Sequence, residues 1–227
     1  MAFRRTLLRV EPLRGDALTS ALVGIGMLFA AEGLSSPNIE DTLLAASAEG
    51  MEKDDLRVLA MLTTWLEVHS HWINVDRLTR LVAAHPGERV RAFWAAVGHW
   101  FSKDRRFARL IQCYQGSPVE LLATGTEFHL RRAGEDPRFA GSALRVPAGV
   151  LRDRKEDVLS PTELARQHGT YRRRILLGSS YRADMWAALD RDPGLTAAEL
   201  ARRTYGSFAT AWQVKQDWAL LEAAKAH

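Results

Sequence analysis

The sequence predicts a mainly α protein. It should have an N-terminal helical bundle or short solenoid, a small irregular connector with room for short strands, and a C-terminal three-helix unit. Three observations carry this. Apolar residues recur at helical spacing through most of residues 16–115 and 160–227. Capping residues, glycines and prolines punctuate those stretches at intervals of 10 to 20 residues. Between them, Gly116, Pro118, Gly125, Gly134, Pro137, Gly141, Pro147 and Gly149 crowd one segment. The boundaries drawn from this are 1–115, 116–159 and 160–227. With 227 residues, 47% hydrophobic and 26% charged, the chain can build a core and falls outside the disordered classes.

Taken in order, Asp16 is placed to cap a first helix running to Glu32, with Gly33 as its stop. Ser36-Pro37 reads as the start of a second, with Ile39, Leu43 and Leu44 inward and Gly50 as its end. Asp54 and Asp55 open a third that runs to Trp72. Leu56, Leu59, Leu62 and Leu66 on one face, with Val58, Trp65 and Trp72 on another, make it central. Asn74 caps a shorter helix that His85-Pro86-Gly87 breaks. Val90, Phe93, Trp94, Val97 and Phe101 form one face of the next, and Asp104 leads into Phe107, Leu110, Ile111 and Tyr114. Short connections of this kind give antiparallel neighbours. In the connector, strands fit Phe128–Leu130 and Ala143–Val146, and a helix fits Val119–Ala123.

From Ser160 the helical grammar returns. Ser160-Pro161-Thr162-Glu163 has capping-box form, and the helix it opens should end at Gly169. The next begins near Ser180 with Tyr181, Met185, Trp186 and Leu189 inward. Thr196 caps 197–204, Gly206 makes a turn, and Ser207 caps a last helix to about Ala226. On that helix Ala211, Val214, Trp218 and Leu221 form a stripe at spacings of 3, 4 and 3, expected to pack on Leu200, Trp186 and Leu189.

Several patterns that look chemical have plainer explanations. His69 and His71 sit two apart on a helix, point in divergent directions and lack a third ligand in sequence. Cys113 has no ligand or catalytic partner at motif spacing and cannot form an internal disulfide. Gly24-Ile25-Gly26 lacks the rest of a phosphate loop. The pairs Glu40-Asp41, Asp54-Asp55 and Glu156-Asp157 read as capping or solvated residues. Trp94, Trp100 and Phe101 follow core spacing. No enzyme, metal or cofactor is expected. The uncharged run Ala17–Ala31 is too short to span a bilayer, and the first residues lack a signal-peptide pattern, so the expectation is a cytoplasmic protein.

One constellation is informative: Leu195-Thr196-Ala197-Ala198-Glu199-Leu200-Ala201 followed by Gly206-Ser207 and Trp218. It resembles the helix-turn-helix of bacterial transcriptional regulators. There a capped helix with a Glu-Leu-Ala core meets a glycine turn, and a Ser or Thr starts the recognition helix. Alanine lets the helices approach, glycine can adopt the left-handed turn, and the capped start faces outward toward a major groove. The spacing departs from the family: Ala201 to Gly206 is five residues where four is usual. The winged-helix subclass adds a β-hairpin, which here would have to come from 115–159. A fainter resemblance, prompted by Gly178–Trp186, is to regulators or antitoxins that join such a motif to a partner-binding domain.

The resemblance implies double-stranded DNA as partner and a homodimer on two-fold sites, with Ser207, Thr210 and Gln213 near bases. Arg203 and Lys215 would hold phosphates, helped by Arg202 and the run Arg172, Arg173 and Arg174. The charge balance permits this: 31 Lys and Arg against 27 Asp and Glu give a net +4. The alternative reading is a helical adaptor or antitoxin that binds a protein partner.

Overall fold

A computed structural model describes residues 13–225, and their architecture is mainly helical with one two-stranded sheet. The chain divides into two compact units at 160–161.

In the unit from residue 12 to 160, α1 (Gly15–Gly24) is shorter than the spacing predicts. Asp16 lies in its first turn rather than at its cap, and the helix stops at Gly24 instead of Glu32. The chain beyond folds back on it: a Cβ on Gly24 would lie 2.7 Å from the Pro37 ring, and Leu34 donates its amide to the Ser20 carbonyl. Helix α2 (Ile39–Glu52) is capped by Asn38, whose Oδ1 accepts from Asp41 N at 3.0 Å, not by Ser36. Gly50 does not end it. It stays within the helix, and Leu59 packs where its side chain would be.

Helix α3 (Leu56–His69) begins at Asp55, whose carboxylate accepts from Arg57 N and Val58 N, and it packs on α2, which takes the central place the spacing assigns to α3. Leu62, Trp65 and Leu66 are fully buried, and the Trp65 indole donates to the Ile25 carbonyl at 2.8 Å. A 3-10 turn carries the chain through 70–72. Asn74 caps α4 (Val75–Ala84), and Gly87 precedes α5 (Glu88–Trp100). Phe93, Trp94 and Val97 are buried, and the Trp94 indole donates to Ser47 Oγ. A 3-10 turn and the short α6 (Ala108–Ile111) bury Phe107 and Leu110. Helix α2 packs against α1, α3, α4 and α5.

The glycine-rich segment differs from expectation in two places. Residues 119–123 form no helix: β1 (Val119–Glu120) pairs in parallel with β2 (Leu144–Arg145), within the predicted 143–146 strand. Phe128–Leu130 is not a strand but lies within α7 (Thr126–Ala133). Gly125 and Gly134, both at positive φ, bracket that helix and allow its abrupt ends. Leu121, Phe139, Leu144, Val146 and Leu151 are buried, and Phe139 meets Phe93 with ring centroids 6.5 Å apart.

In the other unit, α8 (Pro161–Gln167) is followed at once by α9 (Gly169–Leu177), which the sequence reading omits. Gly169 starts this helix rather than ending the one before. Its cap is His168, whose Nδ1 accepts from Tyr171 N at 3.1 Å. Histidine is not among the usual capping residues, so the signal is silent. Helices α10 (Tyr181–Arg191), α11 (Ala197–Thr204) and α12 (Phe208–Lys225) follow with the boundaries their caps predict. Met185, Leu189, Leu195, Leu200, Ala211 and Val214 form their shared core, with Trp186 inside and Trp218 packed at its edge. Leu221 does not join: it is 53% exposed. Among the described residues, no helix is long and apolar enough to cross a membrane.

Candidate nucleic-acid interface

Local chemistry fixes the geometry of α10, α11 and α12. Ser180 Oγ accepts from Ala183 N to start α10. Thr196 and Glu199 form a reciprocal capping box on α11: Thr196 Oγ1 accepts from Glu199 N, and the Glu199 carboxylate accepts from Thr196 N at 3.0 Å. Those bonds from Thr196 hold the Glu199 carboxyl below its ordinary range. Ser207 Oγ accepts from Thr210 N at 3.1 Å and caps α12.

The turn between α11 and α12 is not built on the glycine that the spacing predicts. Tyr205, not Gly206, takes the left-handed conformation, with φ +58°. It stands four residues after Ala201. Gly206 serves a different need: a Cβ there would collide with the Met185 methyl, so glycine lets α10 approach the turn.

The predicted contact residues fall into distinct settings. Arg202 and Arg203 are exposed on the last turn of α11, and Arg203 lies 3.4 Å from Asp192. Ser207 and Thr210 are half-buried, their hydroxyls 2.7 Å apart. Gln213 is exposed and donates to Asp217 Oδ1 at 2.9 Å. Lys215 is half-buried, and its ammonium donates to the Leu195 carbonyl, tying α12 to the loop before α11.

The arginine run splits. On α9, three consecutive residues point about 100° apart, so they cannot share one face. Arg172 is exposed. Arg173 clamps Asp190 with two bonds of 2.6 Å and lies over the Trp186 ring, and this carboxylate partner raises its pKa further. Arg174 is 1% exposed and clamps Asp184 at 2.7 and 2.9 Å, which makes it a core residue rather than a surface cation. Arg182 similarly donates to Asp217 Oδ2 at 2.6 Å. That bond, with the one from Gln213, lowers the Asp217 pKa.

Sequence spacing did not single out the composition of the outward face of α12. Phe208, Ala209, Trp212, Gln213, Gln216 and Leu220 are all exposed there. Phe208 and Trp212 are four apart, so they share a face, and that face carries glutamines and aromatics rather than cations. The same wheel that turns Ala211 and Val214 inward turns these residues outward, so the signal was present in the core stripe itself.

Elsewhere, His69 is fully buried, with Nε2 3.0 Å from the Leu159 carbonyl and its ring against Trp65. Burial pushes its pKa down to about 4. Among the described residues, no group of three His, Cys, Asp or Glu could hold a metal ion. Cys113 is half-buried beside a shallow polar cleft of about 400 Å³ between α5 and the loop after α6, and burial raises its thiol pKa. Both described strands belong to the 12–160 unit, so the described part of the trihelical unit carries no β-wing of its own. No known family, curated protein or solved structure matches the chain.

Proposed function

We propose that the chain is a non-enzymatic, cytoplasmic transcriptional regulator whose C-terminal unit binds duplex DNA through α12, acting as a homodimer. One observation carries this reading. A left-handed residue stands four positions after Ala201 and two before the capping Ser207, and Phe208, Ala209, Trp212 and Gln213 in the first half of α12 are exposed. That leaves Gln213 and Gln216 exposed where a major groove would receive them, with Arg202 exposed on the adjoining helix to meet a phosphate. The positive charge left for phosphates is modest, because Arg173, Arg174 and Arg182 are committed to carboxylates. Affinity would therefore rest on few phosphate contacts and on groove fit.

A second reading has its own support. The exposed Phe208, Trp212 and Leu220 suit a protein partner, which favours the adaptor or antitoxin alternative. Fluorescence anisotropy of the full chain on fragments of its own genome, at about 50 and 200 mM salt, separates the two. Saturable binding that weakens with salt supports the regulator. Absence of DNA binding at low salt, with pull-down of a protein that Trp212→Ala releases, supports the adaptor. Sedimentation at micromolar concentration tests the dimer, and a strict monomer counts against two-fold operator binding.

A further inference from the structure

We infer that Asp217 is a positioning residue that fixes which edge Gln213 offers to DNA, selecting adenine at one position of the site; this rests on the regulator reading above. Both carboxylate oxygens are occupied: Oδ1 accepts from Gln213 Nε2 at 2.9 Å and Oδ2 from Arg182 Nη2 at 2.6 Å. The carboxylate is therefore held from two sides, on two helices, and it can only accept. A primary amide can be turned over to exchange its oxygen and nitrogen. Here the exchange would set Oε1 against an anionic oxygen, so the amide has one favoured orientation. With the N–H trans to Oε1 on Asp217, the other N–H and Oε1 lie side by side on the edge away from it.

That edge offers one acceptor and one donor. Adenine presents the complement in the major groove, an amino donor beside an acceptor nitrogen, whereas guanine presents two acceptors. An unanchored glutamine would meet either more evenly. The Arg182 contact keeps Asp217 ionised at neutral pH, so the bias persists through the physiological range. Gln216, one turn away, makes no such bond to Asp217, and the bias belongs to Gln213 alone.

The test is selection of binding sites from a randomised duplex pool by the full chain, with wild type, Asp217→Asn, Gln213→Ala and the double variant, folding checked by circular dichroism. In the wild type one position should favour adenine about tenfold. Asp217→Asn should reduce that preference below about twofold while the other positions keep theirs. An asparagine whose oxygen stays on Arg182 turns its amide nitrogen toward Gln213 and invites the flipped form. In the Gln213→Ala background, Asp217→Asn should change nothing further. Equal loss of preference at every position would reduce Asp217 to a structural residue and overturn the inference. So would adenine preference that survives Asp217→Asn, or guanine at the Gln213-dependent position. A wild type that binds no DNA overturns the regulator reading instead.

Discussion

At the scale of single residues, identity matters through what each atom has next to it. His69 has its imidazole sealed beneath Trp65 with its pKa near 4, against an ordinary value near 6.5. The shift is downward, so the unfolded chain takes up the proton first as pH falls. The stability due to the neutral ring is whole above pH 6.5 and is lost progressively toward pH 4. Between pH 7 and pH 5 the loss from this one group is about 2 kcal/mol. Urea titrations at the two pH values should show His69→Gln narrowing the wild-type difference in stability by about that amount. Two glycines make a second case. An added methyl at Gly24 would strike the Leu34 carbonyl and the Pro37 ring, neither of which can yield, whereas at Gly206 it would strike only the mobile end of Met185. Gly24→Ala should therefore cost about 3 kcal/mol and Gly206→Ala about 1 kcal/mol, read from denaturation midpoints.

At the scale of elements, α12 is longer than the partners that bury it. Its 18 residues extend about 27 Å, against about 16 Å for the 11 residues of α10 and about 12 Å for the 8 of α11. The core stripe Ala211, Val214, Trp218 thus ends where its partners end, and Leu221 projects beyond them. Leu221→Ala should change stability by less than about 0.5 kcal/mol, while Leu200→Ala, at 0% exposure, should cost about 2–5 kcal/mol. Thermal unfolding of the two variants checks this. Trp218, only partly buried, ranks between them. On α9, the buried Arg174–Asp184 clamp and the half-exposed Arg173–Asp190 clamp look alike in sequence, but removing one partner is severe only for the first.

At the scale of the whole molecule, the net charge is only +4, and several arginines of the C-terminal unit sit against carboxylates. In the C-terminal unit Arg166, Arg172, Arg182, Arg191, Arg202 and Arg203 are exposed, with Arg182 against Asp217 and Arg203 facing Asp192. If each of these six neutralises at most one phosphate, the logarithm of DNA affinity falls against log salt with a slope no steeper than about −5 per protomer. Arg202→Ala should make that slope shallower by about 1 and weaken binding to all sequences alike. Anisotropy across a salt series measures both. Lys215→Ala, by contrast, should act mainly on stability, because its ammonium holds the Leu195 carbonyl.

What the sequence by itself determined was local in origin. The caps Asp55, Asn74, Ser180, Thr196 and Ser207 each satisfy amides within three residues, so their helix starts are legible without any knowledge of the fold. The stripe Ala211–Val214–Trp218 is legible for the same reason, since helical spacing alone sorts inside from outside. Everything set by a contact between distant residues needed the tertiary structure: the end of α1 under Pro37, the continuation of α2 through Gly50, and the parallel pairing of Val119 with Leu144. The same holds for the candidate site. Gln213 and Arg202 were placed on the surface by periodicity. The fate of Arg173, Arg174 and Lys215 depended on Asp190, Asp184 and the Leu195 carbonyl, which stand 17, 10 and 20 residues away. A charge in sequence is only a potential contact, and the partner that folding brings to it decides whether it faces solvent or the core.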